Sequence, residues 1–123
     1  MATVNEIYAK TKGLMFEKGT SKVYDDYVIP NLNLILMELF QENNICRIFN
    51  GKSKLESPQQ VTSLTDELAY EDEYVFKVIP LGLAASFFID DDLQKWSIFD
   101  TKYNNARVLS QKLLSLEEYQ DAS

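Results

Sequence analysis

The chain has 123 residues, 46% of them hydrophobic and 25% charged, which is the composition of one globular domain and excludes a largely disordered chain. Its 12 basic and 19 acidic side chains give a net charge of −7, which disfavours general binding of duplex DNA through a broad basic face. The single cysteine, Cys46, excludes an intramolecular disulfide and favours a reducing compartment. We therefore expect one soluble, intracellular domain spanning residues 1–123.

The N-terminal region predicts the first helix. It has no basic segment followed by an apolar run, so we expect no secretory signal. Thr3 followed by Glu6 is a capping-box pattern, and the helix should run from there toward about Phe16. Gly19 is a plausible stop signal, and Gly13 is a site where the helix could end early.

A second helix is predicted from Ser21 to about Glu42. The pair Asn43-Asn44 should end it, because asparagine tolerates left-handed backbone geometry. Pro30 lies inside this helix, where it removes a backbone hydrogen bond and crowds the preceding turn. We therefore expect a kink or a break near residues 27–29.

The middle of the chain predicts the non-helical part. Residues 45–55 have the pattern of a β-hairpin, because the central Asn50-Gly51 pair readily adopts the positive φ angles of a tight turn. Pro58 and its polar neighbours predict a loop. Residues 61–68 fit either a short strand or an extended connection.

Two further long helices are predicted after this region. One should span residues 71–89, and its most apolar part, residues 78–89, is too short to cross a bilayer. The other should span residues 93–113, with an apolar stripe formed by Leu93, Trp96, Phe99, Tyr103, Ala106, Leu109 and Leu113. A short final helix should begin at Ser115. The expected fold is mainly α: a small bundle of about four main helices with a short β-hairpin or extended excursion in the middle.

The second and third predicted helices carry more apolar surface than a bundle helix with one exposed face requires. Residues 34–40 and 75–89 are apolar on nearly every side. Two interpretations remain open: the other elements cover this surface, or part of it forms a subunit interface. The candidate interface residues are Leu34, Met37, Phe76, Leu83 and Phe87.

The sequence has no pattern typical of an active site. Histidine, the commonest general base and metal ligand, is absent. Cys46 is best interpreted as a buried apolar residue, and Asp90-Asp91-Asp92 as a helix cap. We expect no catalytic residue, cofactor or metal.

One local excess of positive charge remains. Arg47, Lys52 and Lys54 are accompanied by no acidic residue between positions 45 and 55. They indicate either a solvated turn or an electrostatic contact for DNA or an acidic partner.

Three segments, taken together, carry a resemblance to a known family. The first is residues 4–8, leading through Leu14-Met15 to residues 27–30 and Asn33; the second is residues 64–68. The third is residues 79–85, followed by Asp90-Asp91-Asp92, Phe99 and Tyr103. In these segments the chain resembles the small helical head–tail connector (neck or adaptor) proteins of tailed bacteriophages. The segments cover most of the chain, and each is a packing pattern.

The resemblance implies a structural protein of the virion neck, made in the host cytoplasm or encoded by a prophage. Its copies would form a ring of about a dozen subunits that extends the DNA exit channel. The implied partners are further copies, the portal protein, a stopper or tail-completion protein, and passing DNA bound without sequence recognition, with no membrane involved. The alternative is a small helical protein-binding or regulatory module, monomeric or dimeric, whose groove would be lined by Leu36, Phe40, Phe76 and Leu83.

Overall fold

The computed structural model describes residues 1–122, with side chains described for residues 1–111. It contains five helices of at least ten residues and one single helical turn. In chain order the elements are α1 (Val4–Leu14), α2 (Asp25–Glu38), α3 (Phe40–Phe49), α4 (Asp72–Val75), α5 (Ile79–Phe88) and α6 (Leu93–Ala122). Extended pairing within residues 1–122 is limited to an isolated bridge between Thr3 and Glu67. The mainly helical class is confirmed, and the predicted β-hairpin is wrong.

α1 begins at the predicted cap and ends in an unusual way. Thr3 Oγ1 accepts a hydrogen bond from the Glu6 backbone N at 3.2 Å. At the other end, the Glu17 N donates to the Lys12 carbonyl at 2.9 Å, and Phe16 adopts a φ of 60°. This pattern is a Schellman motif, whose left-handed position is usually occupied by glycine. The helix therefore ends before Gly19, with a phenylalanine in a conformation that favours glycine.

The first strand of the predicted hairpin, residues 45–49, is instead the second half of α3, and residues 50–55 follow the end of that helix. Gly51 has a φ of 80° and its N donates to the Ile48 carbonyl, while the Lys52 N donates to the Arg47 carbonyl at 2.8 Å. The positive φ that predicted a hairpin turn therefore ends a helix, again in a Schellman motif. A glycine with a positive φ is typical both of a hairpin turn and of a helix end, so the local sequence pattern alone did not separate the two structures.

The predicted second helix is divided at Leu39, and it runs without interruption through Pro30. The pair Asn43-Asn44 does not end it, because both residues lie inside α3 and are buried. The Asn43 Oδ1 accepts a hydrogen bond from the Glu71 backbone N at 2.8 Å. These asparagines bind a neighbouring segment of backbone and leave the helix intact.

Amide side chains hold the extended segment of residues 52–71 against α2 and α3. Asn44 both accepts from the Leu55 N, at 2.8 Å, and donates to the Leu55 carbonyl, at 3.1 Å. Asn33 makes the same two bonds with Val61, at 2.8 and 3.0 Å. Each amide thus satisfies a backbone donor and acceptor that would otherwise need a strand partner.

The third predicted helix is also divided, into α4 and α5, and Pro80 lies in the first turn of α5. α5 is the centre of the molecule: it packs against α6, α1 and α2, and eight of its ten residues are buried. A Cβ atom built on Gly82 would lie 2.8 Å from Tyr103 Cε1 and 3.2 Å from Ile35 Cδ1. Glycine therefore permits the close approach of α5 to both α6 and α2.

α6 covers one side of α5. Asp92 caps it, since its Oδ1 accepts from the backbone N of Lys95 at 3.1 Å. The helix is continuous to Ala122, so no new helix begins at Ser115. Of the predicted apolar stripe, four residues pack against the core, namely Trp96, Phe99, Tyr103 and Ala106. Leu93 and Leu109 are exposed, and the Leu113 side chain lies outside the described residues. No helix in the described chain is both long and apolar enough to span a membrane.

Candidate assembly surface

An apolar stripe remains exposed on α2 and α3. We call it the outer stripe; it consists of Tyr27, Pro30, Leu34, Met37, Ile45 and Ile48. Leu34 is 64% exposed and Ile45 is 60% exposed, which is far from the values of core residues. Isolated exposed apolar side chains are ordinary, but a row of them along two consecutive helices is the kind of surface that marks contact sites.

Helical periodicity places the α2 members of the outer stripe on one side. They lie at positions 27, 30, 34 and 37 and are separated by three or four residues. Ile45 and Ile48 are three residues apart on α3, and both are exposed there. α3 begins directly after Leu39, whose φ of −90° and ψ of 0° mark the division from α2.

The outer stripe lies roughly opposite the face that α2 buries in the core. The buried positions of α2 are Val28, Leu32, Ile35 and Leu36. With 3.6 residues per turn, these point about half a turn away from Leu34 and Met37. α2 is therefore apolar on two opposite faces, and the residues whose side chains are described cover only one of them.

Acidic side chains flank the outer stripe. Asp26 is exposed on one edge, and Glu38, with 51% of its side chain exposed, lies on the other. An apolar centre with a charged rim is the usual anatomy of a protein–protein interface.

The Glu38 edge is fixed by contacts with α6. The Tyr103 hydroxyl donates to Glu38 Oε1 at 2.6 Å, and the Arg107 guanidinium donates to Glu38 at 3.1 Å and also to Glu42. The bond to Glu42 raises the pKa of Arg107, and burial, followed by the bond to Glu38, raises the pKa of Tyr103. α6 is thus clamped to α2 and α3, and the outer stripe is presented on a rigid support.

The five predicted interface residues divide into two groups. Leu34 and Met37 lie on the outer stripe, and Phe76 is 39% exposed, between α4 and α5. Leu83 and Phe87 are buried inside the subunit, where Phe87 stacks on Tyr24 with ring centroids 4.6 Å apart. The surplus apolar surface of α5 is therefore core, because three other helices cover it.

Sequence reasoning missed four members of the outer stripe: Tyr27, Pro30, Ile45 and Ile48. Tyr27 and Pro30 carried a signal, since with Leu34 and Met37 they repeat at intervals of three and four residues. Ile45 and Ile48 were assigned to the hairpin, where the helical period does not apply. A helical interpretation of residues 40–49 would have placed both on one face of that helix.

The three basic residues at positions 47, 52 and 54 are mostly occupied within the subunit. Lys52 Nζ lies 2.8 Å from the Glu71 carboxylate, and the Arg47 Nε donates to the Ser53 carbonyl at 2.7 Å. Lys54 is exposed. Burial opposes ionisation of Glu71, but its hydrogen bonds with Lys52 and Asn50 outweigh burial and lower its pKa. Among the described residues, the cluster therefore has one basic side chain paired with a carboxylate, Lys52, one held by backbone carbonyls, Arg47, and one that is exposed, Lys54.

The surroundings of the remaining candidate residues do not favour reactivity or ligand binding. Cys46 is buried, and burial followed by the nearby Glu73 carboxylate raises the pKa of its thiol to about 12, so the reactive thiolate is scarce at neutral pH. Within the described part of the chain, no three Cys, Asp or Glu side chains are arranged to hold a metal ion. Leu36 and Leu83, two of the four predicted groove residues, are fully buried and do not line an open groove.

Comparisons of the chain with protein-family models, with curated proteins and with solved structures found no match. The outer stripe is therefore interpreted from its own geometry and chemistry.

Proposed function

We propose that this chain is a structural virion protein that forms an oligomeric ring between the portal and the tail of a bacteriophage and extends the DNA exit channel. The proposal combines the resemblance in residues 4–33, 64–68 and 79–103 with the surface chemistry of the described subunit. Its partners would be further copies of the chain, the portal protein and a stopper or tail-completion protein. Its place would be the neck of the virion.

The outer stripe is the observation that carries this proposal. Water contacts its apolar side chains in an isolated subunit, and removing such surface from water is worth roughly 25 cal/mol per Å². In a monomer, leucine and methionine on the face opposite the core of a bundle helix gain no stability from burial. Packing between identical subunits would give Leu34 and Met37 an apolar environment.

The charge of the chain supports a channel that DNA passes through without being held. Each lysine or arginine that neutralises a phosphate adds to DNA affinity and would slow passage. The net charge is −7. In the local basic cluster, Lys52 forms an ion pair with Glu71, and Arg47 donates hydrogen bonds to backbone carbonyls. A net acidic surface with few free basic side chains suits sliding contact with DNA.

Electron microscopy with a portal tests the proposal. The purified chain should be mixed with rings of the portal protein encoded by a neighbouring gene and imaged by negative stain. Sedimentation velocity of the chain alone should be recorded in parallel, up to high micromolar concentration. We expect an additional ring of density on the portal for the wild-type chain and its loss for the double variant Leu34→Asp/Met37→Asp.

Phe16→Asp is the matched control, because Phe16 is 96% exposed and follows α1, a helix that contributes no residue to the outer stripe. It should assemble like the wild-type chain. A wild-type chain that stays monomeric both alone and with portal would contradict the proposal. That result would favour the alternative, a small helical binding module that acts as a monomer.

A further inference from the structure

A closed ring of identical subunits needs two different surfaces on each subunit, because the contact between neighbours is head-to-tail. The inference that follows rests on the proposed ring. The outer stripe supplies one surface, so the second must be sought elsewhere on the same chain.

α6 offers the second surface. The helix has 30 residues and is about 45 Å long at 1.5 Å per residue, whereas α5, which it covers, has ten residues and is about 15 Å long. Its inner side is formed by Phe99, Tyr103 and Ala106. We call the opposite side the α6 outer face; it consists of Ile98, Thr101, Asn105, Val108 and Leu109.

The α6 outer face is apolar enough to be a contact surface. Ile98 and Val108 are each 49% exposed, and Leu109 is 57% exposed. They recur along one side of a single regular helix, as the members of the outer stripe do on α2 and α3. Two helical surfaces with rows of exposed side chains can pack as ridges into grooves.

Charge also distinguishes the α6 outer face from the outer stripe. Among the exposed residues in positions 93–111, two are basic, Lys95 and Lys102, and the one acidic residue of that stretch, Asp100, is half-buried. The outer stripe instead has an acidic rim: Asp26 is exposed, and Glu38 keeps 51% of its side chain exposed beside its ion pair with α6.

A contact between two outer stripes would bring the acidic rims of both subunits together, and like charges across an interface are unfavourable. A contact between the outer stripe and the α6 outer face would bring acidic and basic rims together instead. We propose that the outer stripe of one subunit packs against the α6 outer face of the next, and that this head-to-tail contact closes the ring.

Cross-linking with a bismaleimide tests the contact. Met37→Cys places a thiol on the outer stripe, and Asn105→Cys places one at the centre of the α6 outer face. In the presence of portal rings, the double variant Met37→Cys/Asn105→Cys should give a ladder of cross-linked oligomers, because each subunit links to both neighbours. Neither single variant should cross-link, since each carries a thiol on only one side of the contact.

Two controls keep the readout specific. The wild-type chain carries only Cys46, which is buried and should not react. The variant Met37→Cys/Val23→Cys keeps the thiol on the outer stripe and moves the second one to an exposed loop outside the α6 outer face. It should give no ladder.

The outcomes separate this inference from the proposed function. Dimers formed by Met37→Cys alone would show that two outer stripes meet and would overturn the head-to-tail contact. A ring on the portal without a ladder from Met37→Cys/Asn105→Cys would overturn the α6 outer face as the partner and leave the ring standing. Failure of the wild-type chain to join the portal would overturn both.

Discussion

α5 and α2 are both more apolar than a helix with one exposed face needs, yet the fold buries them to different extents. α5 is covered by α1, α2 and α6, and eight of its ten residues are buried. α2 is covered on one side only, and its opposite side keeps Leu34 and Met37 in solvent. Surplus apolar sequence therefore has two meanings here: a central helix in one case and an unpartnered surface in the other.

The difference follows from position in the fold. A helix at the centre of a small bundle has neighbours on every side, so an apolar residue at any position finds a partner. A helix at the edge has neighbours on one side, and further apolar residues stay outside. Apolar composition therefore identifies both helices as unusual, and only the packing distinguishes them.

The largest expected effect compares the same substitution on the two helices. Leu83→Ala should lower the free energy of unfolding by about 3–5 kcal/mol, because it empties a fully buried site in α5. Leu34→Ala should change it by less than about 0.5 kcal/mol, because that side chain is mostly in water. Urea denaturation of the monomer measures both. Equal effects would mean that the outer stripe is already covered within the subunit.

A smaller effect is expected from enlarging the centre of the bundle. Gly82→Ala should cost about 1–3 kcal/mol, because the added Cβ would lie 2.8 Å from the Tyr103 ring. Gly13→Ala is a suitable control, since its Cβ would meet no atom within 4 Å and alanine favours a helix. In thermal denaturation, Gly82→Ala should lower the melting temperature and Gly13→Ala should raise it. A neutral Gly82→Ala would indicate that α5 and α6 are more loosely packed than the structure has them.

Phe16 is a second place where an apolar residue stays outside. It is 96% exposed and has a φ of 60°, at the helix position that Gly51 occupies in α3. Phe16→Gly should stabilise the subunit by about 1 kcal/mol, because glycine adopts this conformation without steric cost. Phe16→Ala removes the ring but keeps the strained backbone, so it should stabilise less. Chemical denaturation measures the order of stability of the two variants and the wild-type chain. If Phe16→Gly destabilised the subunit, the backbone at Phe16 would not be strained.

The smallest effect concerns Glu71, a polar residue that packs against α3. Because the pKa of Glu71 is below its ordinary value of 4.5, its carboxylate stabilises the fold above that pH, and the contribution is lost as pH falls through the lowered pKa. Glu71→Gln should therefore cost roughly 1 kcal/mol or less at pH 7, and the difference in stability between this variant and the wild-type chain should shrink as the pH falls below the ordinary carboxyl pKa of 4.5. Denaturation at several pH values tests this. A constant difference would show that the carboxylate charge does not matter.

The sequence predicted the elements whose signals are local. Thr3 caps α1 as expected, and the inner side of α6 carries Trp96, Phe99 and Tyr103 at helical spacing. The division of the second helix at Leu39, and not at Pro30, has no local signal that we recognise. It depends on packing that a single segment does not contain.

The wrong predictions share a physical cause, because each residue type involved serves two structures. Gly51 in a left-handed conformation fits both a hairpin turn and a helix end. The amides of Asn43 and Asn44 can stop a helix or bind a distant backbone from within one, and here they do the latter. The candidate surface was predicted in part, since Leu34 and Met37 were identified while Ile45 and Ile48 were lost with the hairpin.

Methionine oxidation tests the central claim, that the outer stripe is covered only when subunits assemble. The chain carries its own controls: Met37 on the outer stripe is 57% exposed, Met1 is 81% exposed, and Met15 is 5% exposed. Hydrogen peroxide treatment followed by mass spectrometry should be compared for the dilute subunit and for the chain assembled on a portal. We predict that assembly protects Met37, while Met1 stays reactive and Met15 stays slow. Oxidation of Met37 at the same rate in both states would contradict the account.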